Sequence, residues 1–401
     1  MIGRDVTRAA IRHMATKPVV LHIVPNTLIG GAETMLQRLI TTMDGDLAAH
    51  RVVELGRTGP IGEALRTEGV PLTTIGLRSS IPTLLALARL LRAVSVAKPN
   101  LIQGWLYHGN LAAQVARRAA GPRTHVCWNI RQSITDIGRE RPTTAAVIRI
   151  GAALSGRPNG IIYNSLKSAH QHEEIGYRAT NRSIIPNGFD LCRFKPSDDA
   201  RKRIRRELGF EDGTLLIGVV ARYHPIKAHT HFLEAAARLR QSARRIDFVL
   251  AGCEIDESNV ALTHQIQTLG LADRVRLLGE RPDVEDVLGA LDLVVLPSLD
   301  EGFPNVVAEA MAAGVPCVVT DVGEAAHIVG KTGLVVPPGR PDLLAAAMGA
   351  MVDMEASRRR QMGLCARARI GAEFALPAVV AQYETLYRRM MAASSCGNAL
   401  L

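Results

Sequence analysis

The sequence predicts an α/β protein made of two tandem doubly wound domains, and three observations carry that prediction. Strand-length apolar runs alternate with helical stretches along nearly the whole chain, the signature of βαβ units around parallel sheets. At 401 residues the chain is too long for one ordinary core. The alternation also pauses once, after Asp190, and restarts at Leu215. The expected division is an N-terminal extension at 1–17, a first domain at 18–193, a second at 194–375 and a closing helix at 376–401.

In the first domain, residues 19–24 read as a strand and 32–43 as a helix with Leu36, Leu39 and Ile40 on one face. Gly30-Gly31 lies between them, where backbone can approach a ligand at a helix start. It fits neither Gly-x-Gly-x-x-Gly nor the Walker pattern, so no dinucleotide fingerprint or P-loop is expected. Strands follow at 51–55, 72–75, from 101–102 to an end in Gly104-Trp-Leu-Tyr-His108, and 124–129, with helices at 61–68, 82–97 and 110–119. A longer helix at 143–154 precedes a strand at 160–165, and residues 182–185 lead into Pro186-Asn-Gly-Phe-Asp190.

In the second domain a helix at 200–208 ends at Gly209, and strands are expected at 215–221, 248–251, 275–278, 291–296, 315–319 and 334–336. The strand at 291–296 runs into Glu301-Gly-Phe-Pro-Asn-Val-Val-Ala-Glu309. Pro304 suits the first position of a helix that stops at Gly314. The amides of Asn305, Val306 and Val307 would then be unpaired, forming an anion site at a strand's carboxyl end between two carboxylates, Glu301 and Glu309. Phosphate on the amides and hydroxyls on the carboxylates would suit a sugar nucleotide. Arg222 and Lys227, at the end of the domain's first strand, supply cations for such an anion. The closing stretch at 376–391 has Tyr383, Leu386 and Tyr387 on one helical face.

Composition excludes several classes. Apolar residues make up 47% and charged residues 21%, which describes a globular chain. The apolar runs fall far short of a membrane span, and residues 1–17 lack the apolar stretch of a signal peptide. Six scattered cysteines without a Cys-x-x-Cys pair fit reduced thiols in a cytoplasm rather than disulfides or a zinc ribbon. The net charge of +10 calls for an anionic partner, but 4% aromatic residues give no stacking platform for nucleic acid. Arg201-Lys-Arg-Ile-Arg-Arg206 and Arg358-Arg-Arg360, with Arg367 and Arg369, read first as solvated helix faces. Their sharper reading is peripheral contact with an anionic inner-membrane surface. Asp44-Gly-Asp46 is explained by turn chemistry, and His224, His229 and His231 lack companions at ligand spacing, so no metal is expected. His108, near the end of a first-domain strand, is a catalytic candidate.

Taken in order, these motifs resemble a known family, the retaining glycosyltransferases of the GT-B fold, of the large bacterial group 4 type. The resemblance spans residues 18–390. It is carried by Gly30-Gly-Ala-Glu33, Tyr163-Asn-Ser165, Ile185-Pro-Asn-Gly-Phe-Asp190, Ala221-Arg with Lys227, and Leu296-Pro-Ser. Glu301-Gly-Phe-Pro-Asn-x3-Glu309, Ala313-Gly-Val-Pro316 and Tyr383-Glu-x2-Tyr387 complete it. It implies two Rossmann-like domains facing across a cleft, the first holding the acceptor and the second the donor, with the last helix crossing back. Glu309 would hold the ribose and Glu301 the donor sugar. Arg222, Lys227 and the backbone of Phe303, Pro304, Asn305 and Val306 would stabilise the departing diphosphate, with Gly30 and Gly31 against the phosphates. Gly252 and Arg281 would border the base.

Where many relatives place a histidine after the strand ending at Asn129, this chain has Trp128-Asn129-Ile-Arg131. Asn129 and Arg131, or else His108, are expected to take that role at the sugar. The resemblance implies no cofactor or metal, only a UDP- or GDP-sugar as co-substrate and a lipid-linked or polysaccharide acceptor in cell-envelope or exopolysaccharide synthesis. A sugar-nucleotide 2-epimerase shares this architecture and is the alternative; a non-catalytic sugar-nucleotide-binding module is the third reading.

Overall fold

The structure, a computed structural model, describes residues 17–77, 83–134, 136–211, 213–240 and 245–396. The expected extension falls, but for Lys17, outside the described residues. Elements run in the order β1 (Val19–Val24), α1 (Gly31–Thr42), β2 (Ala49–Glu54), α2 (Pro60–Thr67), β3 (Leu72–Thr74) and α3 (Leu84–Ala97). Next come β4 (Leu101–Trp105), α4 (Leu106–Ala116), β5 (His125–Ile130), α5 (Pro142–Leu154), β6 (Gly160–Tyr163), α6 (Leu166–Glu174) and β7 (Arg182–Ile184). Their strands form a sheet in the order β3-β2-β1-β4-β5-β6-β7.

The second alternation comprises α7 (Asp198–Glu207), β8 (Leu215–Val220), α8 (His229–Leu239), β9 (Ile246–Ala251), α9 (Val260–Thr268), β10 (Val275–Leu277) and α10 (Val284–Ala290). It continues with β11 (Leu293–Leu296), α11 (Asn305–Ala312), β12 (Cys317–Thr320), α12 (Ala325–Val329) and β13 (Leu334–Val336). The chain closes with α13 (Pro341–Asp353), α14 (Ala356–Glu373) and α15 (Leu376–Cys396). The second sheet has the order β10-β9-β8-β11-β12-β13. Its order reverses at β8, so the crevice beyond the ends of β8 and β11 is where such sheets place ligands.

Residues one apart on these strands enter opposite layers. Leu216, Val249 and Val294 pack with α11 and α14, whereas Ile217, Phe248 and Val295 pack with α8 and α13. A sheet covered on both faces needs the near-continuous Val/Ile/Leu runs seen here. Strand 291–296 begins at Leu293, because Leu291 is the C-cap of α10 and its N–H donates to the Leu288 carbonyl at 3.1 Å. Strand 315–319 begins at Cys317, after Pro316, which has no N–H to donate to a ladder.

Packing divides the described chain into two compact units. One contains Met1–Ile130, Pro142–Ile161 and Ala381–Leu401, and the other contains Arg131–Arg141 and Ile162–Val380. The second unit thus takes in residues 131–141 and 162–193, which stand before the expected division at 193. Phe189, for example, lies in the same core as Val307 and Ile370. In the first unit, Tyr387 of α15 donates to Gln103 Oε1, and Asn129 Nδ2 donates to the Tyr383 hydroxyl at 3.2 Å.

Two buried histidines make stability pH-dependent. His172 packs on Tyr163 and Tyr177 with ring centroids 5.4 and 5.1 Å away, and His229 lies 5.5 Å from the Tyr223 ring. Burial holds each pKa down to about 4, against an ordinary 6.5, with the Lys227 charge adding to the effect at His229. The unfolded chain therefore binds these protons first. Their contribution is complete above about pH 6.5 and is lost as pH falls toward 4. The melting temperature is expected to drop across that window, and less steeply in His172→Phe; an equal slope in the variant would refute the assignment.

Candidate functional site

The second unit gathers its candidate residues at the carboxyl ends of β8, β9 and β11. After β8 the chain turns through Arg222 into a short 3-10 turn, Pro225–Lys227, capped by His224. After β11, Pro297 and Ser298 lead to the loop carrying Glu301. The two loops are tied together where the Leu299 N–H donates to the Ile226 carbonyl at 2.8 Å. Lys227 Nζ then donates to Glu301 Oε1 at 2.6 Å, and Ser298 Oγ donates to the same oxygen at 2.7 Å. Glu301 is only 10% exposed and Lys227 23%, so the pair is poorly screened and its geometry well held. Among the described residues the other Glu301 oxygen has no partner, which leaves it free to accept a hydroxyl. Arg222 is exposed and its guanidinium makes no hydrogen bond or ion pair among the described residues.

Pro304 is the N-cap of α11 (φ −74°, ψ 92°), not its first helical residue, and Gly314 takes the left-handed conformation after the helix (φ +78°). The shift matters for the amides. Val307 N–H donates to the Pro304 carbonyl at 3.1 Å and is not available, whereas those of Asn305 and Val306 have no acceptor among the described residues. The free donors are thus two rather than three. Phe303 offers the site only backbone; its ring is in the core, stacked 6.1 Å from Phe189 and edge-on 5.9 Å from Phe374. Glu309 sits half-buried one turn into α11.

The loop is also fastened from below. Thr320 Oγ1 donates to the Ser298 carbonyl at 2.7 Å, and the Glu324 N–H donates to the Gly302 carbonyl at 3.1 Å. Thr320 and Glu324 carried no sequence signal beyond standing after a strand.

Gly252 follows β9 with φ +143°. A Cβ there would meet the Ala221 carbonyl oxygen at 2.3 Å, so only glycine lets β9 end against the Arg222 backbone. Gly252→Ala is expected to destabilise the chain by about 1–3 kcal/mol, the cost of backbone strain of this kind; an unchanged midpoint in urea unfolding would refute this. Arg281 is committed elsewhere, with Nε 2.8 Å from Asp283 Oδ1 and Nη1 2.7 Å from Glu207 Oε1.

In the first unit, Gly30 is the extended N-cap of α1 and Gly31 its first residue. Burial raises the pKa of Glu33 just beyond. His108 lies in the first turn of α4 rather than on the strand, half-buried, and burial lowers its pKa. Asn129 is wholly buried, its N–H donating to Asn110 Oδ1 at 3.0 Å. Arg131, in the second unit, is 7% exposed and donates to the Ile185 carbonyl at 3.2 Å and to Asn187 Oδ1. Asp44 accepts from the Asp46 N–H at 2.9 Å, the turn its sequence implied.

The basic clusters are divided: Lys202, Arg206, Arg358 and Arg360 are exposed, whereas other members are bonded. Arg201 and Arg205 pair with Asp292, and Arg203 pairs with Asp286. Arg359 donates to the Met351 and Met354 carbonyls and Arg367 to those of Phe194, Ala312 and Leu191. Much of this positive charge therefore closes helix and loop ends. Among the described residues no helix is long and apolar enough to cross a membrane.

Residues 214–354 match the family described as Glycosyl transferases group 1. The chain is 34% identical over 214 residues to a D-inositol 3-phosphate glycosyltransferase of Nocardia farcinica, covering 51% of this chain and 47% of that protein. It is 35% identical over 141 residues to the UDP-Gal:alpha-D-GlcNAc-diphosphoundecaprenol alpha-1,3-galactosyltransferase of Escherichia coli, covering 35% of this chain and 36% of that one. The chain thus spans between about a third and a half of these curated relatives' length. Its fold is similar to that of Anabaena Alr3699/HepE, solved with UDP and glucose, at a TM-score of 0.79 and 24% identity over 92% of this chain and 99% of that one. It is also similar to sucrose-phosphate synthase from Thermosynechococcus elongatus, at a TM-score of 0.78 and 19% identity over 94% of this chain and 100% of that one. The two parallel sheets are similar to those of the GT-B architecture, and residues 214–354 carry the match to the glycosyl transferases group 1 family.

Proposed function

We propose that this chain transfers a hexosyl group from a UDP- or GDP-sugar to a lipid-linked or polysaccharide acceptor of the cell envelope, with retention at the anomeric carbon. The observation that carries this reading is the grouping of Lys227, Glu301 and the two free α11 amides at the switch point of the second sheet. A diphosphate accepts from those amides and pairs with Arg222 and Lys227, while the free Glu301 oxygen accepts a sugar hydroxyl and Glu309 holds the ribose. The bond from the anomeric carbon to the diphosphate oxygen breaks, the acceptor oxygen bonds to that carbon on the same face, and the acceptor hydroxyl passes its proton to the departing diphosphate. Cations and helix amides meet the charge that develops on the leaving group, so no divalent metal is required. Support for a UDP-sugar comes from the fold neighbour solved with UDP and glucose, and for a lipid-linked acceptor from the diphosphoundecaprenol-dependent relative. The enzyme would act at the cytoplasmic face of the membrane.

The test is a thermal-shift panel of UDP-, GDP- and ADP-sugars with EDTA present, followed by turnover on membrane extract. Stabilisation by one nucleotide class and release of free nucleotide only with acceptor present are expected. No stabilisation by any of them overturns the reading, and conversion of the sugar without nucleotide release would indicate epimerisation. Glu309→Ala is expected to weaken nucleotide binding by tenfold or more, on the order of one lost charge-assisted hydrogen bond; unaltered binding would remove Glu309 from the site.

A further inference from the structure

Arg131 lies on the segment leaving β5 and is bonded, through one residue, to the start of α11. Its guanidinium donates to Asn187 Oδ1, and Asn187 Nδ2 donates to Asn305 Oδ1 at 2.6 Å. Arg131 and Asn187 are 7% and 3% exposed, so water does not compete for the bond between them. The same segment touches the Glu301 loop a second time: a Cβ on Gly302 would lie 3.3 Å from Ser133 N and 3.4 Å from the Arg131 carbonyl oxygen. The segment is itself anchored on α6, where Ser168 Oγ donates to the Gln132 carbonyl at 2.6 Å and the Ile134 N–H donates to Gln171 Oε1 at 3.1 Å.

The chemistry of arginine fixes the direction of this chain. A guanidinium has donors only, so Asn187 must turn its oxygen toward Arg131 and its NH2 toward Asn305. Asn305 must then accept with its oxygen. Its own NH2 is left without an acceptor among the described residues, at the first position of α11 beside the free amides of Asn305 and Val306. Without the arginine, both amide groups could rotate, and Asn305 could present an oxygen to an anion instead.

We infer that Arg131 and Asn187 are positioning residues that set the side-chain amide of Asn305 as a third donor to the diphosphate of the donor substrate. The inference rests on the proposed nucleotide-sugar reading. It also gives Arg131 a task other than contact with the sugar.

The test is titration of the full chain with UDP and GDP, with the corresponding nucleosides as control ligands measured by competition. Arg131→Met is expected to weaken the diphosphate that binds by roughly tenfold and the nucleoside by less than about twofold, whereas Arg131→Lys, which keeps a donor, stays within about threefold of the parent. Asn305→Asp, at a half-exposed position that does not threaten folding, is expected to lose at least as much diphosphate affinity. Arg131→Met combined with Asn305→Asp should be no weaker than Asn305→Asp alone, because both changes remove one donor. Equal loss for nucleoside and diphosphate, full additivity, or unchanged affinity in Asn305→Asp overturns the inference. A parent protein that binds neither diphosphate overturns the functional reading together with it.

Discussion

Replacing Arg222 and Lys227 together by alanine is expected to lower turnover by about 10³-fold or more while donor affinity falls far less. The reason is where negative charge appears. In the bound donor the diphosphate charge is shared with the sugar ester; as that bond breaks, a full additional charge develops on the leaving oxygen. A cation facing that oxygen stabilises the transition state more than the ground state, and losing one such preorganised group typically costs about 10²–10³ in rate. Lys227 is preorganised by its 2.6 Å bond to Glu301, whereas Arg222 is exposed and has no partner among the described residues. The single Arg222→Ala change should lower mainly turnover, in contrast to Glu309→Ala, which should lower mainly nucleotide affinity. Donor titration and saturation kinetics on the three variants check this. Equal loss of binding in Arg222→Ala and Glu309→Ala would contradict the division of roles.

Phe303→Ala is expected to have the largest effect on stability, about 3–5 kcal/mol, as for a large aromatic removed from a core. Phe303 is 9% exposed, with its ring between those of Phe189 and Phe374. The Phe189 N–H and carbonyl also bond to the backbone at Phe374 and Leu376, each at 2.9 Å, so the three rings close one corner of the second unit. Urea unfolding with an unchanged denaturant slope would measure the cost. A loss below about 1 kcal/mol would mean the corner collapses onto the cavity without penalty. Because Phe303 belongs to the loop holding Glu301, donor affinity should fall alongside stability. Phe303→Leu, which keeps most of the volume, should restore much of both.

The α/β class, the two alternations and the helix after Glu301 were all legible in the chain. Each rests on a local pattern: an apolar run, a proline at a helix entrance, a glycine at its exit. Local pattern also limited the detail. Pro304 could serve as N-cap or as first residue, and only the backbone angles decide between two free amides and three. Arg201 and Arg367 looked like surface charge because their acceptors are remote in sequence, Asp292 for Arg201 and the Leu191 carbonyl for Arg367. Asn129 and Arg131 occupied the expected place in the sequence, yet one is buried beneath Tyr383 and the other bonded to Asn187.

By itself the sequence determined the parallel-sheet architecture and the strand ends at which Arg222, Lys227, Glu301 and Asn305 stand, since period and capping act over a few residues. The tertiary structure alone decided which of these groups meet. Lys227 and Glu301 are 74 residues apart, and Asn187 and Asn305 are 118 apart. Such pairs exist because sheet order brings the ends of β8 and β11 side by side and because a buried guanidinium must find acceptors wherever the fold supplies them.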